Sequence, residues 1–184
     1  MDDAGNPVIR FFGVNSVGNS IVSYIHNNKS YFFLHITEED TIISQEDNEK
    51  IKNDLNEEIG IKGAVEKIEV VQKQSVMFYK TRFENFLKVF VSNPKFIPQL
   101  RSVVENGLNY AGKDCLSKIT YESDIPYVLR FMLDNEIAGM TWIRIEKGKW
   151  KLRSKEDQKT NCQIEFDVLD HSDIKCFPSE GKYS

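Results

Sequence analysis

Five basic residues lie close together in the second half of the chain and are the best candidates for contact with a ligand. They are Arg144, Lys147, Lys149, Lys151 and Arg153. Because side chains alternate along a strand, Lys149, Lys151 and Arg153 should share one face. Lysines in line with a strand can follow a phosphate backbone, and an aromatic side chain can stack on a base. We therefore predict that these five residues bind nucleic acid.

The same stretch is predicted to be a β-hairpin. Its pattern favours strands on either side of a turn at Lys147–Gly148, within residues 140–153. Alternation then puts Trp150 and Leu152 on the face opposite the lysines. An alternative stays open, because rows of exposed lysines are common on surfaces that bind nothing. In that case the hairpin has a solvated face, and Trp150 and Leu152 belong to the core.

A second group of residues combines side chains that could ligate a metal ion. It consists of Glu165, Asp167, Asp170 and His171. Carboxylate oxygens are the usual protein ligands of Mg²⁺ and Ca²⁺. A strand with acids at alternate positions more often turns them towards water. We therefore expect these residues to be solvated and to hold no metal.

Cysteine and histidine supply no recognisable catalytic motif. The chain has three of each: Cys115, Cys162, Cys176, His26, His35 and His171. The cysteines are odd in number and widely spaced, which fits neither a disulfide framework nor a zinc site. No nucleophile motif surrounds any cysteine–histidine pair. We predict small buried thiols in a reducing compartment, and histidines with ordinary surface or core positions.

The composition is that of a globular domain. The 184 residues are 40% hydrophobic and 28% charged, with a net charge of −4. A general basic field for nucleic acid is therefore absent, and any DNA contact must come from a local patch. The length suits one domain or two small ones. The start, Met1-Asp2-Asp3, shows no signal peptide, and no apolar stretch approaches a membrane span.

Local patterns predict an α+β chain. Strands are expected at 8–14, 20–25, 31–36, 65–74, 86–92, 117–121, 140–145 and 162–168. The first three are joined by short loops, which predicts an antiparallel meander. Helices are expected from Ser44 to Gly60, from about Ile97 to Gly107, and after a cap at Ser123 or Asp124.

From Tyr31 the predicted order is β-α-β-β-α-β, the split ferredoxin-like pattern of RNA-recognition modules. The strand over 86–92 lacks the basic-glycine-aromatic start of such a module. Phe86 and Phe90 share one face, and core packing is the simpler explanation for them. We therefore predict the topology without RNA readout.

Several blocks of sequence resemble a known family. They are Ile9–Val14, Gly18–Ser20, Leu129–Met132, Ile137–Met140, Trp142, Lys147–Lys149, Cys162–Glu165 and Pro178–Gly181. In this order and spacing they resemble the N-terminal region of the catalytic subunits of DNA polymerase delta, replicative enzymes of the B family. DNA polymerase zeta shares part of the pattern, and Trp142 with the Lys-Gly-Lys turn favours delta.

The resemblance implies a fold and a domain plan. It implies an OB-like antiparallel β-barrel over 8–36 with 140–168, and an RNA-recognition-like part over 31–121. Residues 169–184 would form a tail leading to the exonuclease domain. Exonuclease sites of this family begin with Asp-x-Glu, whereas Glu165 and Asp167 stand in the reverse order. The resemblance therefore places the exonuclease acids beyond Ser184.

The resemblance also implies a function. It implies a non-catalytic domain that supports the exonuclease and polymerase core and guides single-stranded template. The parent would be a nuclear DNA polymerase with 3′→5′ exonuclease activity, Mg²⁺, an iron–sulfur cluster and accessory subunits. No cofactor, metal or membrane contact is expected in this fragment. Two alternatives remain: an independent single-strand-binding module, and a scaffold domain that touches no nucleic acid.

Overall fold

The computed structural model describes residues 5–37, 43–74, 83–107 and 116–177. The chain divides into two compact units. The discontinuous unit combines residues 1–28 with 126–184, and the continuous unit spans residues 29–125. Within the described ranges, no helix combines the length and apolarity that crossing a bilayer requires.

Ten strands and three α-helices are assigned within the described residues. The strands are β1 (Ile9–Val14), β2 (Ser20–Ile25), β3 (Ser30–Ile36), β4 (Val65–Gln74), β5 (Phe83–Val91), β6 (Leu116–Tyr121), β7 (Trp142–Ile145), β8 (Trp150–Leu152), β9 (Ile164–Val168) and β10 (Ile174–Phe177). The helices are α1 (Gln45–Glu58), α2 (Ile97–Glu105) and α3 (Tyr127–Asp134). The structure is thus mixed α+β, as the sequence predicts.

The continuous unit is a four-stranded antiparallel sheet in the order β4-β5-β3-β6. Its helices begin where the sequence predicts. Ser44 and Asp47 form a capping box at the start of α1, which satisfies free N–H groups of the first turn. A turn of 3₁₀ helix, Pro94–Phe96, precedes α2, so Pro98 falls in the first turn of α2, where a missing N–H is tolerated.

One face of this sheet forms a core with the two helices. Alternate residues of β3, such as Phe32 and Leu34, are fully buried there, together with Leu55 of α1 and Leu100 of α2. Strand alternation and helical periodicity therefore deliver their apolar residues to the same layer.

The discontinuous unit contains a sheet in the order β1-β2-β9-β8 and a separate ribbon of β7 with β10. Strands β2 and β9 pair in parallel, and all other pairs in this unit are antiparallel. Its core is smaller and includes Ile9, Ile25, Phe131, Val168 and Ile174.

Two predicted pairings are wrong. Strand β3 does not extend β1 and β2 into a meander, because it pairs with β5 and β6 in the continuous unit. Strands β7 and β8 do not form a hairpin, since β7 pairs with β10 and β8 pairs with β9. Both predictions assumed that neighbours in sequence pair with each other, whereas here the partners are distant in sequence.

The ends of two predicted segments also differ. Neither Ser123 nor Asp124 caps α3: Pro126 occupies the cap position, and no side chain forms a capping hydrogen bond there. The Ser123 hydroxyl instead lies 2.8 Å from that of Thr120. The stretch expected to thin into a tail after residue 169 contains β10. Cys115 and Pro178–Gly181 fall outside the described residues.

Candidate nucleic-acid interface

The five predicted basic residues are divided between two sheets. Arg144 lies on β7, and Lys147 lies in the link that follows it. Lys149 immediately precedes β8, Lys151 lies within it and Arg153 follows it. Because β7 and β8 have different partners, the structure does not gather the five residues on one hairpin face.

Arg153 is held by a carboxylate. Its Nε and Nη2 atoms donate to the two oxygens of Asp167, at 2.7 and 2.6 Å, and its guanidinium lies 3.6 Å from the centre of the Tyr24 ring. The hydrogen bond to Asp167 raises the pKa of Arg153, although burial opposes the change. A paired and stacked arginine of this kind positions neighbouring strands rather than binding phosphate.

The same contacts belong to a polar cluster of five side chains on or beside β2, β8 and β9. Its members are Tyr24, His26, Arg153, Glu165 and Asp167. The Nε2 atom of His26 lies 2.7 Å from Asp167 Oδ1. Burial alone would raise the pKa of Asp167, but hydrogen bonds from Arg153 and His26 outweigh it and lower that pKa.

Glu165 is the most buried member of this cluster. Its side chain is fully buried and accepts from the Tyr24 hydroxyl at 2.9 Å. The Thr160 hydroxyl and N–H donate to the other oxygen at 2.5 and 2.7 Å. Burial would raise the pKa of Glu165, but these bonds, with the Lys159 N–H, lower it below the usual value. A buried carboxylate satisfied in this way fixes the 159–165 loop against β2.

The metal hypothesis gains no support from these positions. Glu165 and Asp167 bond within the polar cluster rather than facing water, so their predicted solvation is wrong. Asp170 instead accepts from the Ser172 N–H at 2.9 Å, and His171 lies 3.3 Å from Asn135. Among the described residues, no three His, Cys, Asp or Glu side chains group as a metal ion would require.

The remaining lysines of the predicted site stay at the surface. Lys149 pairs with Asp173 at 3.0 Å, and this hydrogen bond raises the pKa of Lys149. Lys147 and Lys151 are exposed. Trp150 and Leu152 are 42% and 58% exposed, which excludes the alternative that buries both in the core. Trp150 packs beside Phe166 of β9, with 5.7 Å between the ring centres.

The ribbon of β7 and β10 presents a second exposed face. Trp142 lies opposite Phe177 in the strand register, and the Arg144 guanidinium lies 4.4 Å from the centre of the Phe177 ring. A groove of about 490 Å³ is lined by Ser16, Trp142, Ile143, Arg144, Ile145 and Phe177. Ile143 and Ile145 also pack against the core of this unit, which anchors the ribbon to that core.

Sequence reasoning missed Trp142 and Phe177 as parts of a candidate site. In the sequence, Trp142 and Arg144 alternate with Ile143 and Ile145, and this alternation was a usable signal for Trp142. In the structure, Trp142 and Arg144 are exposed and the two isoleucines are half-buried. Phe177 gave no comparable signal, because the stretch that contains it was expected to be a tail rather than a strand. The cysteine prediction holds in part: Cys162 and Cys176 are free thiols, but they are half-buried rather than buried.

Phe86 and Phe90 share a face of the continuous unit, as predicted. It is the face opposite the helices and is called the outer face here. It carries Tyr31, Phe33, His35, Phe86, Lys88, Phe90 and Tyr121, with Lys73 of β4. Phe33 and Phe86 are each only 4% exposed. Core-like packing of these rings is therefore confirmed for Phe86, whereas Phe90 is half-buried.

Comparison with known proteins identifies the class. A family model described as "DNA polymerase family B, exonuclease domain" matches residues 118–180. A family B DNA polymerase from the archaeon Pyrobaculum calidifontis matches the fold over 92% of this chain and 18% of its own, with a TM-score of 0.65 and 24% identity. The chain belongs to the B family of DNA polymerases.

Within that family, the similar curated proteins are DNA polymerase delta catalytic subunits. The Arabidopsis thaliana subunit is 34% identical over 97% of this chain and 16% of its own length. The subunit from Glycine max is 32% identical over 96% and 16%, and that from Plasmodium falciparum is 30% identical over 88% and 15%. The sequence resemblance is thereby confirmed. The chain spans about one-sixth of these relatives' length.

Proposed function

We propose that this chain is a non-catalytic part of a replicative DNA polymerase of the delta type, and that it holds single-stranded template beside the catalytic core. The single observation that carries the proposal is the exposed basic and aromatic surface of the discontinuous unit. Arg144, Lys147 and Lys151 are exposed there, with Trp142 and Trp150 each more than 40% exposed. Cations and exposed rings together are what sequence-independent single-strand binding uses.

The engagement of two acids, Glu165 and Asp167, supports a non-catalytic role. Polymerase and exonuclease chemistry in this family implies Mg²⁺, and carboxylates must be free to ligate it. Glu165 and Asp167 are instead engaged by Tyr24, Thr160 and Arg153. These residues do not fit a magnesium site, so no catalytic step is assigned to them. The parent enzyme would carry the Mg²⁺ and iron–sulfur chemistry, in the nucleus, with its accessory subunits.

The finer fold assignment is also part of the proposal. The strand order β4-β5-β3-β6 with one helix after β3 and another after β5 supports a ferredoxin-like, RNA-recognition-like continuous unit. The sheet β1-β2-β9-β8 draws strands from both ends of the chain, which supports an OB-like discontinuous unit. The exonuclease-domain model of the family matches residues 118–180, so the sequence region that this model describes begins within this chain.

The test is binding of a fluorescently labelled oligothymidine of about 15 nucleotides, followed by anisotropy at several salt concentrations. We expect weak binding that falls steeply between about 50 and 200 mM salt. A variant with Lys147→Gln and Lys151→Gln should bind about 5- to 10-fold more weakly and show a salt slope smaller by about 1.4, which is two phosphate contacts on a single strand.

The matched control is Lys62→Gln with Lys95→Gln, which removes the same charge from two exposed lysines of the continuous unit. Equal losses for the two double variants would mean that only net charge matters, and would contradict the proposal. Binding that is tight and insensitive to salt would favour an independent binding module. Unchanged affinity of the parent enzyme after Lys147→Gln with Lys151→Gln would favour a scaffold domain.

A further inference from the structure

We propose that the β7–β10 ribbon holds one unpaired nucleobase of a single strand in the groove between Trp142 and Phe177, with Arg144 on the adjoining phosphate. This inference rests on the proposed function and names the place where a base is bound.

The ribbon's register sets the geometry of the site. Trp142 and Phe177 are direct partners across the two strands, and Arg144 is opposite Lys175. Direct partners in an antiparallel pair have side chains on the same face, with Cβ atoms about 5 Å apart. Trp142, Arg144 and Phe177 therefore project from the same face of the ribbon, and Ile143 and Ile145 also contribute to the lining of the groove.

The size and lining of the groove suit a planar ligand. Its volume of about 490 Å³ lies within the range of roughly 300–1,000 Å³ that small-ligand sites occupy. Trp142 is 45% exposed, so its indole offers surface for stacking. Ser16 also lines the groove, and a serine hydroxyl can donate to or accept from a base edge without selecting one base.

Among the described residues beside the groove, two lysines are ion-paired and Arg144 is the cation placed to meet an anionic ligand. Lys175 is paired with Glu146 at 2.7 Å, and Lys149 with Asp173 at 3.0 Å. The Arg144 guanidinium instead rests on the Phe177 ring, an arrangement that leaves its N–H groups able to reach a phosphate oxygen. A base stacked on the indole, with its phosphate on Arg144, meets both the aromatic and the cationic groups.

The chain's two tryptophans make the site directly observable. Trp142 and Trp150 are the only ones in the sequence, so Trp150→Phe leaves Trp142 as the sole reporter and Trp142→Phe leaves Trp150. The probe is unlabelled oligothymidine, compared with a strand of equal length whose central residues are abasic. We expect oligothymidine to quench Trp142 fluorescence strongly, and the abasic strand to quench it weakly.

Substitutions in the site should weaken the binding of a single strand. In labelled-strand anisotropy, Trp142→Leu should weaken oligothymidine binding about tenfold, because the base loses the aromatic ring on which it stacks. Arg144→Gln should weaken it about fivefold and Phe177→Leu about threefold, on the same scale. The matched controls are Arg10→Gln and Phe12→Leu on β1, both exposed. Each should stay within about twofold of the unmodified chain.

The outcomes separate this inference from the function on which it rests. No salt-sensitive binding of any strand would overturn the proposed function and this site with it. Binding that persists without quenching of Trp142, with Arg144→Gln equal to Arg10→Gln, would overturn the site alone. Equal quenching by abasic and thymidine strands would also overturn it, because it would exclude base stacking. Circular dichroism of each variant checks that it is folded.

Discussion

The two units of this protein each display a surface of aromatic rings and cations, and they use it differently. On the outer face of the continuous unit the rings contact one another: Phe86 lies 5.5 Å from Tyr121 and 6.4 Å from Phe33, centre to centre. Lys73 lies 3.7 Å above Phe33. On the β7–β10 ribbon, Trp142 is 45% exposed beside a groove.

The difference shows that residue type alone does not define a binding surface. On the outer face, the rings pack edge to face against one another and the lysine amines lie over them. These favourable interactions are therefore already made within the protein. Phe33 and Phe86, at 4% exposure, have almost no surface left for a base. The outer face therefore contributes to stability, whereas the ribbon is the surface for which we propose recognition.

The largest effect should come from the outer face. Phe86→Ala removes a ring packed against Phe33, His35 and Tyr121, and should lower the free energy of unfolding by roughly 3–5 kcal/mol. Urea denaturation of the chain measures it. Phe12→Ala on β1, where the ring is 64% exposed, is the matched control and should cost no more than about 0.5 kcal/mol. Similar losses of stability for Phe86→Ala and Phe12→Ala would contradict a structural role for the outer face.

The next effect separates structural from binding cations within the predicted basic set. Arg153→Met breaks the double hydrogen bond to Asp167, and should cost about 2–3 kcal/mol of stability because a largely buried carboxylate loses its partner. Lys151→Met, two residues earlier and exposed, should cost no more than about 0.5 kcal/mol. Thermal or urea unfolding distinguishes the two. Comparable costs would mean that Arg153 has no special structural role.

The sequence predicts the continuous unit better than the discontinuous one, for a physical reason. Helix caps such as Ser44, the periodicity of Ile51 and Leu55, and strand alternation are local signals, and each led to an observed element. The pairing of β2 with β9 joins residues about 140 positions apart, as in Tyr24 with Glu165. Local patterns carry no information about such pairs, so the strand neighbours were predicted wrongly.

For the candidate site, too, the sequence predicted individual residues better than it predicted which residues lie together. The sequence singled out five basic residues as candidates for binding. Their predicted grouping on one face depended on a β7–β8 hairpin, which the structure does not contain. Glu165 and Asp167 drew attention as acids on one strand, yet their arginine and tyrosine partners come from other strands. The family resemblance is confirmed by relatives that match nearly the whole chain, because it rested on blocks spread along the sequence and not on which strands pair.

The polar cluster also predicts how stability depends on pH. The folded state lowers the pKa values of Glu165 and Asp167, so it binds fewer protons than the unfolded chain in acid. Their contribution is therefore complete above the unfolded carboxyl value of about 4 and is lost as the pH falls through the lower folded values. The urea midpoint should drop between about pH 5 and pH 3.

Glu165→Gln tests whether this cluster causes the drop. The amide cannot titrate, so the variant should be less stable at pH 7 and lose less stability on acidification. The control is Glu156→Gln, in an exposed loop, which should leave the pH profile of the unmodified chain in place. An unchanged profile in Glu165→Gln would show that other carboxyl groups govern acid unfolding.

The smallest effect comes from a lysine above the outer face, and it tests the division most directly. Lys73→Gln removes the cation over Phe33 and the ion pair with Glu122 at 2.8 Å, which together should be worth about 0.5–1 kcal/mol. Lys67→Gln, on the same strand and 65% exposed at the side chain, removes equal charge and should change stability by no more than about 0.5 kcal/mol. If the outer face is structural, the two variants bind oligothymidine with equal affinity. If Lys73→Gln binds more weakly than Lys67→Gln, then the outer face also contacts the strand, and recognition is shared between the two units.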